Sequence, residues 1–262
     1  MALELGLKGR KALVTGASKG IGKGIAEVLA KEGCDVSLVS RSKDEMEAHA
    51  ALLRQQYGAT IRVYGMDLSD GKNHKILAAE HKDLDILVNN AGAIPRGNLW
   101  EVDEERWRKA WDLKVFGYIG MCREFYPQLK AKGKGVILNI LGNGGERVDA
   151  GYICGAAGNA SLIAFTRALG GHSPKYNVRV VGINPGPIAT ERLVNLMKTE
   201  AKSRKGDEGK WEEYFAPMPF GRAGTVEEIA NTAALLVSDL SAYTTGTVFT
   251  IDGGLCHAGS LL

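Results

Sequence analysis

The chain lacks the features that mark metal-binding, disulfide-rich and membrane-spanning proteins. Its five histidines include no HxxxH or HxH pair, so no bound metal is expected. No run of about eighteen apolar residues occurs, and residues 1–10 carry no secretory signal. The four cysteines form no CxxC pair, which argues against a zinc site, a redox dithiol or a disulfide framework; they are Cys34, Cys122, Cys154 and Cys256. These absences predict a soluble, cytoplasmic protein with reduced thiols.

An excess of charge of one sign is also missing. The 262 residues include 33 basic and 30 acidic side chains, and the two signs are interspersed. A formal net charge of only +3, without a polybasic stripe, argues against nucleic acid or an anionic membrane as the main partner. With 45% apolar residues, the chain can bury a core without disulfides or metals.

Short apolar runs alternate with longer, charged, helix-periodic segments from end to end. Each run is rich in Val, Ile or Leu, as buried parallel strands are. Seven strands separated by helices predict an α/β fold, a doubly wound parallel sheet with helices on both faces. No linker divides the chain, so residues 1–262 are expected to form one domain. The predicted strands are 11–15, 35–40, 61–64, 86–89, 135–140, 179–184 and 248–251.

Residues 191–222 are the least regular part of the sequence. A charge-mixed stretch is followed there by an aromatic and proline-rich part that includes Trp211, Tyr214 and Phe215. Because the segment follows the carboxyl end of a strand, we interpret it as an excursion that covers the substrate; a surface segment packed on the sheet edge is the alternative. These aromatics, with Trp100, hint at an apolar or aromatic ligand, although surface packing explains them as well.

The first predicted strand runs into a glycine-rich loop that opens an amphipathic helix. Gly16 permits a tight turn, Gly20 lets backbone amides approach a diphosphate, and Gly22 allows close helix packing. In this strand–loop–helix context, the GxxxGxG spacing predicts dinucleotide binding by a Rossmann-like domain. The cofactor contacts predicted in the loop are Gly16, Ser18, Lys19, Gly20, Ile21 and Gly22.

Four further motifs lie at later strand ends: Asp67-Leu68, Asn89-Asn90-Ala91-Gly92, the segment NPGPIAT at 184–190, and Asp252-Gly253-Gly254. With the glycine loop in front of them, the chain resembles the short-chain dehydrogenase/reductase family over essentially its whole length. The likeness is greatest to bacterial 3-oxoacyl-reductase-like members of the compact branch. It implies that Asp67 and Leu68 hold the adenine and that Asn90, Ala91 and Gly92 line the central cleft. Contacts to the nicotinamide carboxamide are implied for Pro185, Gly186, Ile188 and Thr190.

The end of the second strand decides between the two nicotinamide cofactors. An NAD-binding protein would place Asp or Glu there to accept from the ribose 2′-hydroxyl, but this sequence has Arg41. A guanidinium can bind a 2′-phosphate with two hydrogen bonds, and Lys19 in the loop adds a second cation. NADP(H) is therefore the predicted cofactor. The alternative is that Arg41 only stacks on the adenine.

The family's usual reduction depends on an Asn, Ser, Tyr and Lys tetrad, in which the tyrosine protonates the substrate oxygen. The flanking motifs locate the four positions in this chain at Lys114, Gly142, Gly155 and Asn159. All four usual residues are therefore absent. A glycine at the Tyr position has no proton to donate, and Asn159 can hold a ribose hydroxyl but supplies no charge.

Residues near the four substituted tetrad positions are candidates to replace the missing functions. The Asn and Lys positions hold Lys114 and Asn159, which predicts that the cation has moved from one helix to the other; otherwise Lys114 points to solvent or to Asp112. Tyr152 lies one helical turn before the vacant Tyr position and is a candidate proton donor. Because helical side chains lean toward the N-terminus, a role as a pocket wall stays open for Tyr152. Asn143 is a candidate for orienting a carbonyl oxygen.

The loop that follows the fifth strand, residues 141–151, has four glycines and three charged side chains. It leaves the site roomy, and Glu146, Arg147 and Asp149 either bring titratable groups to the cleft or lie in solvent. The two long helices predicted over 103–132 and 152–172 carry apolar residues on more than one face, and the family pairs through these helices. A homotetramer or homodimer is therefore expected. The apolar residues are Trp111, Phe116, Ile119, Leu162, Ile163 and Phe165.

These features favour an NADP(H)-dependent oxidoreductase that interconverts a carbonyl and an alcohol of a small molecule through an atypical proton relay. A catalytically silent NADP(H)-binding sensor or scaffold is the alternative. An enzyme that uses the cleft for non-redox chemistry has no positive support from the residues.

Overall fold

The computed structural model describes residues 4–258 and has one seven-stranded sheet. All strand pairs are parallel, in the order β3-β2-β1-β4-β5-β6-β7, which confirms the predicted doubly wound sheet. The order reverses between β1 and β4, and ligands bind at such a point in open α/β sheets. The strands are β1 (Lys11–Thr15), β2 (Asp35–Ser40), β3 (Ile61–Gly65), β4 (Ile86–Asn89), β5 (Gly135–Ile140), β6 (Val178–Pro185) and β7 (Val248–Ile251).

Eight α-helices lie between the strands within the described residues, and a π-helical turn separates two of them. The segment predicted as a single helix over 103–132 contains a π-helical turn, Asp112–Phe116, between two α-helices. The helices are α1 (Gly20–Lys31), α2 (Lys43–Tyr57), α3 (Gly71–Glu80), α4 (Glu104–Trp111), α5 (Gly117–Lys132), α6 (Ile153–His172), α7 (Glu191–Lys205) and α8 (Val226–Val237).

Two hydrophobic cores lie on opposite faces of the sheet. Because side chains alternate along a strand, Val14 of β1 packs into the core formed with α1, α2 and α8, whereas Leu13 packs into the core formed with α3 and α5. Every residue of β5 is buried, as expected for a central strand covered on both faces. This layering fixes the strand ends, and the loops that follow them form the site.

Four of the eight α-helices in the described residues have a side-chain cap at the N-terminus, and α1 is one of the four that do not. Thr225 and Glu228 form a reciprocal capping box at the start of α8, and the Asp103 carboxylate accepts from the Arg106 amide at the start of α4. Lys19 at the start of α1 makes no side-chain cap. The first-turn amides of α1 are thus available to an external anion.

Candidate active site at the carboxyl edge of the sheet

A cleft of about 530 Å³ opens at the carboxyl ends of β1, β2 and β4. It brings together most of the residues for which cofactor contacts were predicted, although they come from five separate segments of the chain. Those lining the cleft are Gly16, Ser18, Lys19, Gly20, Ile21, Arg41, Asp67, Leu68, Asn90, Ala91, Gly92 and Thr190.

The glycine loop is held in a conformation that requires glycine. Gly16 and Gly20 have φ of 64° and 54°, in the left-handed region. A Cβ on Gly16 would lie 2.8 Å from Nδ2 of Asn90, which donates to the Thr15 and Gly16 carbonyl oxygens at 3.1 and 3.2 Å. Asn90 thus clamps the loop as well as lining the cleft. Its neighbour Asn89 is buried and donates to the Asn139 side chain at 2.9 Å, a structural role.

Two predicted cofactor residues, Gly22 and Ile188, line neither this cleft nor the inner cavity described below. A Cβ on Gly22 would overlap the Gly16 carbonyl oxygen, so this glycine lets α1 approach the loop. Ile188 is buried in the core and pairs with Gly224 through an isolated bridge. Both residues support the loops that form the cleft walls.

The end of the cleft beside β2 carries positive charge. Lys19 Nζ forms an ion pair with Glu45 at 2.9 Å, so its charge is partly neutralised. Arg41 is exposed and lines the cleft. The pKa of Asp67 lies below its usual range, because the Ser69 backbone amide donates to its carboxylate and the Arg41 charge adds to the effect. Arg41 therefore lies close to the residue expected at the adenine.

An inner cavity of about 310 Å³ continues from the cleft between the end of β5 and the start of α6. All four residues predicted to carry the chemistry line it, and they are Lys114, Asn143, Tyr152 and Asn159. Pro185 and Gly186, predicted at the nicotinamide, line the same cavity, as do Asn90 and Gly92. The inner cavity is thus the predicted reaction site, and it adjoins the cofactor cleft.

The phenol ring of Tyr152 occupies the space above Gly155. A Cβ on Gly155 would overlap Cζ of the ring, and a Cβ on Gly144 would lie 3.2 Å from the ring atoms Cδ1 and Cε1. Burial raises the pKa of Tyr152, while the charges of Arg192 and Arg96 and the nearby Asn159 side chain oppose that rise. The phenol is therefore protonated at neutral pH, and the phenol end of its ring packs directly on Gly155.

Asn159 has an unused hydrogen-bonding atom. Its Nδ2 donates to the Gly155 carbonyl oxygen at 2.9 Å, whereas its Oδ1 is buried and has no partner within the described residues. A Cβ on Gly142 would lie 3.0 Å from Nδ2 of Asn159, so the vacant Ser position adjoins this side chain. The free Oδ1 can accept a hydrogen bond from a bound hydroxyl group.

Lys114 is buried, and it neither points to solvent nor pairs with Asp112. Its side chain is 7% exposed, and Nζ donates to the Ile140 carbonyl oxygen at 2.6 Å and to the Tyr118 hydroxyl at 2.8 Å. Both acceptors are neutral, so burial lowers the pKa of Lys114 to about 7. Its amine can therefore change its charge near neutral pH.

Asn143 and the loop around it are engaged elsewhere. Nδ2 of Asn143 approaches the Asp252 carboxylate at 3.4 Å, which turns the amide toward the C-terminal segment rather than toward Tyr152. The Glu146 carboxylate accepts from the Thr250 hydroxyl at 2.6 Å, and Asp149 accepts from the Gly151 amide. Arg147 is exposed with them, so this part of the loop lies in solvent.

The excursion over 191–222 contributes to the site through α7 and not through its aromatic residues. Trp211 and Phe215 pack edge to face with their centroids 5.4 Å apart, and neither lines the cleft or the inner cavity. The residue that sequence reasoning missed is Arg192, which lines both cavities and donates to the Ile94 carbonyl oxygen at 3.2 Å. Its place in the first turn of a helix after NPGPIAT was the available signal.

Within residues 4–258, no group of three or more His, Cys, Asp or Glu side chains is arranged to hold a metal ion. In the same part of the chain, no helix combines the length and apolar character needed to cross a membrane. The four cysteines are free, and three of them are buried.

Comparison with known proteins identifies the family. The family model described as enoyl-(acyl carrier protein) reductase matches residues 16–256. A 3-oxoacyl-(acyl-carrier-protein) reductase of Chlamydia trachomatis is 33% identical over 256 residues, or 95% of this chain and 98% of the relative. The 2-dehydro-3-deoxy-D-gluconate 5-dehydrogenase of Dickeya dadantii is 32% identical over 259 residues, covering 95% and 96% of the two chains.

Solved structures agree with this assignment. L-sorbose reductase from Gluconobacter frateurii, crystallised with NADPH and L-sorbose, matches with a TM-score of 0.92 and 28% identity, covering 98% of this chain and all of the other. An actinorhodin polyketide ketoreductase with NADPH matches with a TM-score of 0.89 and 26% identity over 98% of this chain. On its sequence, its fold and the geometry of its cleft, the chain belongs to the short-chain dehydrogenase/reductase family of oxidoreductases.

Proposed function

We propose that the protein is an NADP(H)-dependent oxidoreductase that interconverts a carbonyl and an alcohol, with Tyr152 as the proton donor in place of the family's usual tyrosine. The observation that carries the proposal is the position of the Tyr152 ring, whose phenol end fills the space left by Gly155. Relatives of similar length that are named as reductases and dehydrogenases, some with NADPH, support the redox chemistry.

The cleft fits NADP(H). The glycine loop is a cradle that any Cβ would fill, and the first-turn amides of α1 have no side-chain cap, as a diphosphate site requires. Arg41 stands where a 2′-phosphate would lie, and the unpaired Oδ1 of Asn159 can accept from a ribose hydroxyl. When bound, the reduced nicotinamide supplies a hydride to the carbonyl carbon.

The protein's own part is to hold the carbonyl and to protonate its oxygen. The raised pKa of Tyr152 keeps the phenol protonated until the developing alkoxide takes the proton. Lys114 acts as a positioning residue: it lines the same cavity as Tyr152, and its ammonium group donates to the Ile140 carbonyl oxygen and the Tyr118 hydroxyl. Its charge stabilises the phenolate that remains after the proton leaves.

The test is NADPH oxidation with a panel of ketones, aldehydes and oxo acids, followed at the nicotinamide absorbance band. Tyr152→Phe is expected to lower kcat by about 100-fold or more, the size of one lost proton-transfer element. Tyr243→Phe is the matched control, because this tyrosine is fully exposed and lines neither cavity. Lys114→Met should cause a comparable loss, and the double variant little more than either alone, because the two groups act as one unit.

Gly155→Ala gives a second test that leaves the phenol in the chain. The added methyl overlaps the Tyr152 ring and must displace it, so activity should fall. This loss is expected even though alanine stabilises a helix by about 1 kcal/mol relative to glycine. Full turnover in Tyr152→Phe and Gly155→Ala would exclude Tyr152 as the acid. NADPH binding without turnover of any compound in the panel would instead favour a sensor or scaffold.

A further inference from the structure

The inner cavity has a strong imbalance of charge. Two basic side chains, Lys114 and Arg192, line it, and no Asp or Glu does so within the described residues. Arg192 projects from the first turn of α7 across the cavity mouth to the Ile94 carbonyl oxygen, a neutral acceptor at 3.2 Å. A guanidinium held by one carbonyl keeps donors free for a further acceptor.

Nearby carboxylates are committed to other groups. Asp252 accepts from the Cys256 amide at 2.8 Å and approaches Asn143, Asp149 accepts from the Gly151 amide, and Glu101 accepts from the Asn98 amide at 2.9 Å. None of the three lines the inner cavity. A ligand that enters this space therefore meets positive charge without a matching negative group from the protein.

The positive charge of Arg192 lies close to Tyr152, the proposed proton donor. Its charge acts on Tyr152, as does that of the exposed Arg96, so both cations lie near the phenol. The glycine loop, which suits a diphosphate, lines the outer cleft instead. Because Arg192 also lines that cleft, the cofactor's phosphates are the competing occupant, and the experiment must separate the two.

We propose that the substrate is an oxo acid, or the corresponding hydroxy acid, and that Arg192 binds its carboxylate while Tyr152 faces its carbonyl oxygen. Guanidinium and carboxylate groups match in planar, two-bonded geometry, which fixes orientation as well as affinity. This inference deepens the proposed function and rests on its carbonyl chemistry. No step of that chemistry changes, because the carboxylate takes part only in binding.

The experiment compares acetoacetate, 4-oxopentanoate and 5-oxohexanoate with their methyl esters, which keep the carbonyl and remove the charge. With saturating NADPH, at least one acid should have a kcat/KM about tenfold or more above its ester. Arg192→Gln should remove that preference by raising KM for the acid and not for its ester, the signature of a lost binding contact. Because the same charge acts on Tyr152, any change in kcat should be shared by the acid and its ester. Lys202→Gln is the control: it removes the same charge from the same helix at an exposed position outside the cavities.

Three results would overturn the inference while the proposed function stands. These are equal or better turnover of every ester, an Arg192→Gln effect that is equal for acids and esters, and an effect confined to the NADPH dissociation constant. If no carbonyl compound is turned over, the proposed function fails, and binding of the acids then tests whether Arg192 holds a carboxylate. The acids, added with NADP⁺, should raise the denaturation midpoint of the wild-type protein but not that of Arg192→Gln. The absence of such a shift in the wild-type protein would reject the carboxylate site.

Discussion

The buried placement of Lys114 costs folding stability at acidic and neutral pH. Its folded-state pKa of about 7 lies below the usual lysine value of 10.5, because burial penalises the ammonium form. Below pH 7 the amine is charged in both the folded and unfolded states, and burial of the ammonium group lowers the free energy of unfolding by its full amount. Between pH 7 and 10.5 the unfolded chain binds more protons, so stability rises with pH, by at most about 1.4 kcal/mol per unit from this group.

Lys114→Met is therefore expected to be more stable than wild type at about pH 6, with an advantage that shrinks toward about pH 9. The Ile140 carbonyl oxygen keeps a donor in this variant, because the Tyr118 hydroxyl also reaches it at 2.8 Å. Urea denaturation at three pH values measures the effect, with Lys202→Met as the exposed control. A stability difference that stays constant across this range would contradict the lowered pKa.

Tyr152 shows what residue-level reasoning could and could not reach. The sequence reveals the vacant position at Gly155 and a phenol three residues before it. The expectation that the hydroxyl leans away from Gly155 assumed a helical backbone. Tyr152 instead precedes α6 with φ −138° and ψ 33°, so its side-chain direction is not that of a helical residue. Packing between Gly144 and Gly155 then sets the ring, and this tertiary effect has no signal in the local sequence.

At the scale of elements, the strands were predictable and the π-helical turn was not. Observed strand bounds differ from the predicted ones by at most one residue at either end. The reason is that short, continuous runs of β-branched residues are typical of buried parallel strands, and polar residues mark where each run ends. The π-helical turn at 112–116 inserts one residue into a helix whose pattern gives no warning of it. Lys114 lies in this turn and is buried, while its neighbours Asp112 and Phe116 are exposed.

The β2 end carries a prediction about cofactor choice. NADPH should bind at least about tenfold more tightly than NADH, a difference of about 1.4 kcal/mol, and Arg41→Asp should reverse the order. Lys19→Met should have a smaller effect, because the Lys19 charge is already paired with Glu45 at 2.9 Å. Fluorescence titration of both cofactors measures the four dissociation constants for wild type and Arg41→Asp. Equal affinities in the wild-type protein would show that Arg41 does not read the 2′-phosphate.

For the whole molecule, the part of the prediction that needs revision is which apolar residues remain for self-association. Leu162 and Ile163, expected on an outer face of α6, are buried within the core of the same chain. Phe116 and Leu99 remain 57% and 55% exposed, and both border a groove of about 660 Å³ that Trp107 and Trp111 also line. One apolar surface available to a second copy therefore lies around α4 and the π-helical turn.

We expect the protein to form a homodimer or homotetramer through this surface, and Phe116→Asp to lower its molar mass in solution. A charge buried in an interface without a partner is costly, so one substitution should suffice to weaken the assembly at micromolar concentration. Light scattering gives the mass directly, and Tyr243→Asp, on an exposed side chain outside the groove, is the control. A monomeric wild-type protein would exclude the assembly.

A Phe116→Asp protein that kept the wild-type mass would place the interface elsewhere. The same π-helical turn carries Phe116 and Lys114, and Lys114 lines the inner cavity, so loss of the interface should also lower turnover.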